Sequence, residues 1–225
     1  HLMDKEVFKR ELSSLLGSVG YAFQSLIPKI YRNQRFVVVS DSTKQEVLEK
    51  FRIPSSRVSI VHCGVSVNSG ALVEKSRQPV ISYVGRLKPY KRVDNIIRAF
   101  SMVLVEVPDA QLIIAGRGDD RELRVLASDL RISSSVRFCG EISEREKAAI
   151  LSESWISMMA SVKEGWGIGP MEANACGTPV VCYNVPGIRD SMRHGHTAVL
   201  VEDGRVDLLA EAALNLIQND AKRSR

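Results

Sequence analysis

From Val80 to Ile217 short apolar runs alternate with helix-patterned stretches, and no other feature constrains the fold as tightly. Residues 80–84, 112–115, 136–139, 155–159, 180–183 and 198–201 are short and almost continuously apolar. They read as strands buried on both faces. Between them Asp94 is expected to cap a helix with Ile96, Ile97, Phe100, Val103 and Leu104 on one face. Further helices are expected over 121–130, 144–151, 187–192 and 207–217. This alternation predicts a doubly wound, largely parallel α/β sheet with helices on both faces. Ligands of such sheets sit beyond the carboxyl ends of the strands, so the loops there are where the chemistry belongs.

The most informative of those loops runs from Glu164 to Pro186. Gly165, Gly167 and Gly169 alternate in it, and Pro170 then opens a helical run expected over 171–176. A glycine-rich loop feeding a helix N-terminus is an anion site, because unpaired N–H groups and the helix dipole point outward. Glu164 precedes the loop and Glu172 is expected in the first turn after it, so two carboxylates flank a place suited to phosphate. A surface glutamate and a helix-dipole glutamate explain the pair equally simply; the glycines between them argue for a ligand.

Two other strand ends carry candidates. Gly85 to Arg92 places Arg86 and Lys91 where both can face one anion, a planar fork beside a point charge. A solvated loop would also account for them. Gly116-Arg117-Gly118 begins a dinucleotide fingerprint that fails at Arg121, where glycine is required, which argues against hydride transfer. His194 and His196 flank a glycine with no third ligand nearby in sequence, so no metal site is expected.

Upstream, residues 4–32 carry apolar side chains at three- and four-residue intervals and read as helical. Residues 36–39 and 57–62 read as strands, with Ser40-Asp41-Ser42 offering an N-cap for a helix through Phe51 between them. Residues 66–79 are polar and weakly patterned, and read as a linker.

The net charge of +5 over 225 residues suits an anionic ligand or an acidic membrane surface. No Lys/Arg tract interleaved with aromatics is present, so nucleic acid is not an expected partner. Cys63, Cys139, Cys176 and Cys182 lack metal-type spacing and are expected to be reduced thiols of a cytoplasmic protein. No apolar run reaches transmembrane length.

Four stretches in order, V-G-R-L-K-P-Y-K-R-V-D-N-I-I-R-A-F, A-Q-L-I-I-A-G-R-G, V-R-F-C-G-E-I-S and K-E-G-W-G-I-G-P-M-E-A-N-A-C-G-T-P-V-V, resemble the retaining glycosyltransferases of family 4. The resemblance covers about residues 80–217 and includes the E-x7-E pattern from Glu164 to Glu172. It implies the GT-B fold, two Rossmann-like domains facing each other across a cleft. On that basis residues 1–65 are the C-terminal part of an incomplete N-terminal domain, 66–79 the linker, and 80–220 the C-terminal donor-binding domain. Both ends then look cut from a longer chain, and the fragment alone is expected to be inactive.

The resemblance also implies roles. Arg86 and Lys91 would hold the diphosphate of a UDP- or GDP-linked sugar and stabilise the leaving group without a metal or other cofactor. Glu164 would contact the donor sugar, and Glu172 the ribose. Gly116, Gly167, Ile168 and Gly169 would line the donor site, with the Glu141–Ile142 backbone near the base. The acceptor would be a sugar, a lipid-linked sugar or a small molecule, with peripheral association at the inner membrane face. Cys63-Gly64-Val65-Ser66 departs from the family's usual N-G-V-D near the hinge. A non-catalytic module that binds nucleotide or nucleotide-sugar is the alternative reading.

Overall fold

The computed structural model describes residues 26, 30, 31, 33–66 and 71–219. The helical expectation over 4–32 lies almost wholly outside them. The main body is a six-stranded, entirely parallel sheet built from β3 (Val80–Val84), β4 (Gln111–Ala115), β5 (Val136–Gly140), β6 (Ile156–Met159), β7 (Val180–Tyr183) and β8 (Ala198–Val201). Its spatial order is β5-β4-β3-β6-β7-β8. The chain therefore winds outward from β3 in one direction, returns, and winds outward from β6 in the other. The seam between β3 and β6 is the topological switch point, where the loops diverge and leave a crevice.

Helices cover both faces of the sheet. α2 (Val93–Glu106) buries Val93, Ile96, Ile97, Phe100 and Val103. It packs against α7 (Val206–Ile217), which offers Leu209, Ala210, Ala213 and Leu216. Phe100 is wholly buried, worth about 1.5–3 kcal/mol relative to exposure. Ile81, Tyr83, Leu112 and Ile114 join that large core, whereas Val80, Ile113 and Ala115 form a smaller cluster with Ile150 of α4 (Glu144–Glu153). Successive strand residues thus feed opposite layers, as the pleat requires. α3 (Arg121–Asp129) follows β4, α5 (Ile168–Ala175) follows β6, and the single-turn α6 (Ile188–Ser191) follows β7.

The N-terminal residues form a smaller α/β unit. β1 (Phe36–Val38) pairs in parallel with β2 (Val58–Ile60), and α1 (Asp41–Phe51) makes the crossover that parallel strands need. Of the Ser40-Asp41-Ser42 stretch expected to supply the cap of α1, Ser40 takes that role, accepting from Thr43 N at 3.1 Å. Val38, Val47, Phe51, Ile53 and Val58 make its own small core.

Two local expectations are corrected. Asp94 does not cap α2; it lies in the first turn, and the cap position belongs to Arg92, held at φ 48°. Arg92 reaches that conformation because its guanidinium donates to Ala160 O at 2.8 Å and Ser161 O at 3.1 Å and pairs with Asp203. Tertiary bonds thus offset a backbone strain on the order of 1–3 kcal/mol. α5 begins at Ile168, not Met171, so Glu172 stands in its second turn. Pro170 is tolerated inside the helix because first-turn N–H groups have no intrahelical acceptor to lose.

Residues 71–79 are tied to the main body rather than running free. Val73 N donates to Ser152 Oγ at 3.0 Å, Ser76 N to Glu153 O at 2.9 Å, and Trp155 Nε1 to Ser76 O at 2.7 Å. Lys75 Nζ reaches both Ser154 O and Thr178 Oγ1 at 2.6 Å.

Candidate functional site

The switch point gathers residues that are far apart in sequence. β3 ends into Gly85, β4 into Gly116, and β5 closes with Gly140. Gly85 N donates to Ala115 O at 2.9 Å, and Gly116 N to Gly140 O at 2.7 Å, so three strand ends form one floor. Gly116 has φ 140°, and a Cβ there would sit 2.0 Å from Gly85 O. No side chain fits, and the backbone stays open toward the crevice.

Lys91 closes a 3-10 turn after β3, and Glu164 sits in the loop after β6. Their side chains meet across the seam, with Lys91 Nζ 2.5 Å from Glu164 Oε1. Ser161 Oγ donates to the same oxygen at 2.6 Å. Both charged side chains are mostly buried, 12% and 15% exposed, so the pair is not a solvated surface contact. Lys91 carries three donors and spends one on Glu164, which leaves capacity for an anion. Beneath them the buried Tyr83 hydroxyl donates to Arg86 O at 2.8 Å. Burial, and then the Glu164 carboxylate, push the Tyr83 phenol far above its ordinary value, so it stays a neutral donor. Arg86 itself is exposed, its guanidinium donating to Tyr90 Oη at 2.9 Å.

The Glu164 loop is gripped from several sides. Glu164 N donates to Pro186 O at 3.0 Å. Gly187, at φ 83°, lies directly against it: a Cβ there would fall 2.0 Å from Glu164 O. The N-terminal unit holds the flanking residues. Lys163 pairs with the buried Glu46, Trp166 stacks on His62 with ring centroids 4.2 Å apart, and Trp166 Nε1 donates to Cys63 O at 2.9 Å. Ser42 N donates to Asp190 Oδ2 at 3.1 Å, and the same oxygen takes Gly187 N at 3.3 Å.

α5 starts where β6 and β3 part. Gly167 caps it in the left-handed region at φ 78°, wedged against Ile188 and Ser191. A Cβ on Gly169 would lie 2.9 Å from Met159 Cε and 3.7 Å from Val84 O, which places this helix end on the β3–β6 seam. Helix N-termini carry partial positive charge and free N–H groups, and the exposed Ile168 marks this one as open to solvent.

One turn along α5, Glu172 forms a second centre. Lys147 Nζ lies 2.7 Å from Glu172 Oε1 and 2.7 Å from Glu144 Oε2. Burial works against the Lys147 ammonium, but its bonds to Glu144 and Glu172 more than compensate and hold it above the ordinary lysine value. A cavity of about 320 Å³ opens here, lined by Ser66, Glu144, Lys147, Ala148, Leu151, Glu172 and Cys176. Glu141 is exposed at the end of β5, and Ile142 turns into the small cluster with Val80 and Ile113.

Arg86, Lys91, Gly116, Gly167, Ile168, Gly169 and Glu164 therefore lie on or beside the switch-point seam, with Glu172 one helical turn away. Reading the sequence missed Ser161, Arg92, Gly187 and Lys147. Ser161 and Arg92 had a signal, since each adjoins a strand end or a quoted motif. The Lys147–Glu172 and Gly187–Glu164 pairings are tertiary and had none. Among the described residues no three His, Cys, Asp or Glu side chains converge as a metal cluster would, and no helix is long and apolar enough to cross a membrane.

Comparison with known proteins adds to this geometry. A family model described as glycosyl transferases group 1 matches residues 67–225. A D-inositol 3-phosphate glycosyltransferase of Mycobacterium marinum is 28% identical over 203 residues, covering 83% of this chain and 43% of that protein. The enzyme of the same name from Thermobispora bispora is 31% identical over 188 residues, covering 75% and 44%. This chain thus spans less than half the length of these curated relatives. Among solved structures, a mutant of TarM from S. aureus in complex with Fondaparinux, alpha-GlcNAc-glycerol and UDP superposes with a TM-score of 0.79 at 18% identity, covering 96% of this chain and 43% of that one. Alr3699/HepE from Anabaena in complex with UDP and glucose gives 0.78 at 19% identity, covering 92% and 59%. At these identities the likeness shows a shared fold.

Proposed function

The chain belongs to the group 1 glycosyl transferases, and from that premise we propose that it holds the donor half of a retaining enzyme. That enzyme moves a sugar from a UDP- or GDP-linked donor to a sugar, lipid-linked or small-molecule acceptor without a metal. Residues 80–220 are the donor-binding domain, and 1–65 belong to the partner domain across the cleft. Transfer is the work of the whole protein; this chain alone binds donor without turning it over.

The observation that carries the reading is the convergence of Lys91, Glu164 and Ser161 on one point of the switch-point seam. A leaving diphosphate gains negative charge as the glycosidic bond breaks. Lys91, Arg86 and the α5 N-terminus are placed to stabilise that charge in a partly dehydrated site, the kind of preorganised electrostatics that contributes most to catalysis. Glu164, tied to Lys91 by one oxygen, keeps lone pairs for donor-sugar hydroxyls. Glu172 meets the ribose, Gly116 leaves room for the phosphates, and the backbone at Glu141 and Ile142 borders the base. Support for the donor class comes from the two fold neighbours described above, both of which hold UDP.

The test is calorimetric titration of this chain with UDP, GDP, ADP and NAD, repeated on Glu172→Ala. The expected result is binding of one nucleoside diphosphate, weakened by the substitution, and none of NAD. A folded chain that binds none of them overturns the reading. Transfer by the full-length protein, with the product's anomeric configuration retained and EDTA without effect, separates an enzyme from a binding module. The location proposed is the cytoplasm, peripheral to the inner membrane face. The excess of five positive charges supports it; salt-sensitive binding to anionic vesicles checks it.

A further inference from the structure

We propose that Lys147 is a positioning residue for donor recognition, fixing the Glu172 carboxylate so that its free oxygen accepts from the ribose hydroxyls of the bound nucleotide. The inference rests on the donor-binding reading above and adds a residue to it. Lys147 occupies the inward side of α4, one turn beyond Glu144. Its ammonium bridges Glu144 Oε2 and Glu172 Oε1, each at 2.7 Å. α4 is itself anchored at this end by a reciprocal cap, in which Ser143 accepts from Glu146 N and Glu146 Oε2 accepts from Ser143 N at 2.7 Å. The lysine is therefore presented by a rigid turn.

Among the described residues only one oxygen of Glu172 is committed. No donor among them meets Oε2, and Glu172 lines the cavity of about 320 Å³. That volume lies at the lower end of the range for small-molecule sites. Holding one carboxylate oxygen restricts rotation of the group, so the other oxygen meets a hydroxyl with less rotational freedom left to lose on binding. Lys147 also separates two carboxylates that would otherwise repel each other and an incoming diphosphate. Glu144 is 84% exposed, and among the described residues its ion pair is with the lysine.

The discriminating readout is the ratio of affinities for a nucleoside diphosphate and its 2′,3′-dideoxy counterpart. General charge effects on phosphate binding cancel in that ratio. Whichever of UDP, GDP and ADP binds is titrated with its dideoxy form into the unaltered chain, Lys147→Met, Lys147→Arg and Glu144→Gln, each checked by thermal melting. The expected ratio falls about tenfold in Lys147→Met, is largely kept in Lys147→Arg, and falls about two- to threefold in Glu144→Gln. An unchanged ratio in Lys147→Met overturns the proposal while leaving the donor-binding reading intact. Should Lys147→Met fail to fold, an unchanged ratio in Glu144→Gln does the same. Failure of the unaltered chain to bind any of the three overturns the underlying reading, and this inference with it.

Discussion

Lys91 Nζ and Glu164 Oε1 lie 2.5 Å apart although 73 positions separate them, and the bond joins the loop after β3 to the loop after β6 across the seam where the sheet reverses direction. On the proposed reading the lysine waits where a phosphate would arrive, and its remaining donors are aimed by a partner and not by its own flexible stem. In the intact enzyme Lys91→Ala is expected to lower turnover by about 10²–10³. Glu164→Gln is expected to leave nucleoside diphosphate affinity nearly unchanged and to reduce transfer, because the amide still bonds but carries no charge. Steady-state turnover and calorimetry together check both; near-normal turnover in Lys91→Ala removes the assigned role.

Gly187 forms the floor under Glu164. Its φ of 83° and the 2.0 Å approach of a built Cβ to Glu164 O leave no room for a methyl group. Gly187→Ala is therefore expected to destabilise the protein by about 1–3 kcal/mol, measured by urea unfolding, and to displace Glu164. Alanine at Gly177 has the same sign of φ, 74°, but nothing within 4 Å. Its penalty comes from backbone conformation alone and is expected to be smaller, about 1 kcal/mol. Equal losses at the two sites would show that the close approach to Glu164 does not matter.

Much of this was legible before the fold was known, and the reason is local. The strands at Val80 and Val180 are short, continuous apolar runs, and it is their alternation with helix-patterned stretches that makes them and the sheet class legible. As candidates, Arg86 and Lys91 are legible because they share the loop that follows a buried strand and Gly85, and Glu164 and Glu172 because they flank the alternating glycines. Legibility stopped where a contact is tertiary. Nothing near Lys147 in sequence announces Glu172, and nothing near Trp166 announces His62. The start of α5 is not legible for a different reason. Pro170 is compatible with several first-turn positions, and Gly167 supplies a left-handed cap that glycine count alone does not distinguish from a loop.

The cysteines divide by burial. Burial pushes the Cys182 thiol up to about 12. Burial and then the Glu172 carboxylate raise Cys176. Reaction requires the thiolate, so both are expected to resist alkylation near pH 8, whereas the partly exposed Cys63 and Cys139 react. Timed labelling with iodoacetamide, followed by peptide mass analysis, is expected to show two modified cysteines in the native protein and four after unfolding. Rapid native labelling of Cys182 would show that β7 opens easily.

Lys147 carries a pH signature that can be separated from its role in binding. Its folded value lies above the ordinary lysine value, because Glu144 and Glu172 stabilise the ammonium by more than burial opposes it. A group raised in this way contributes stability that is fully present below its unfolded value, about 10.4, and lost as pH rises through the folded value. The stability difference between the unaltered protein and Lys147→Met is therefore expected to be flat from about pH 6 to 9 and to shrink above about pH 10.4. Urea unfolding at several pH values measures it. A difference that instead grows with pH between about pH 8 and 10 would place the folded value below the ordinary one, and the bridge between Glu144 and Glu172 would then not be what holds the lysine in place.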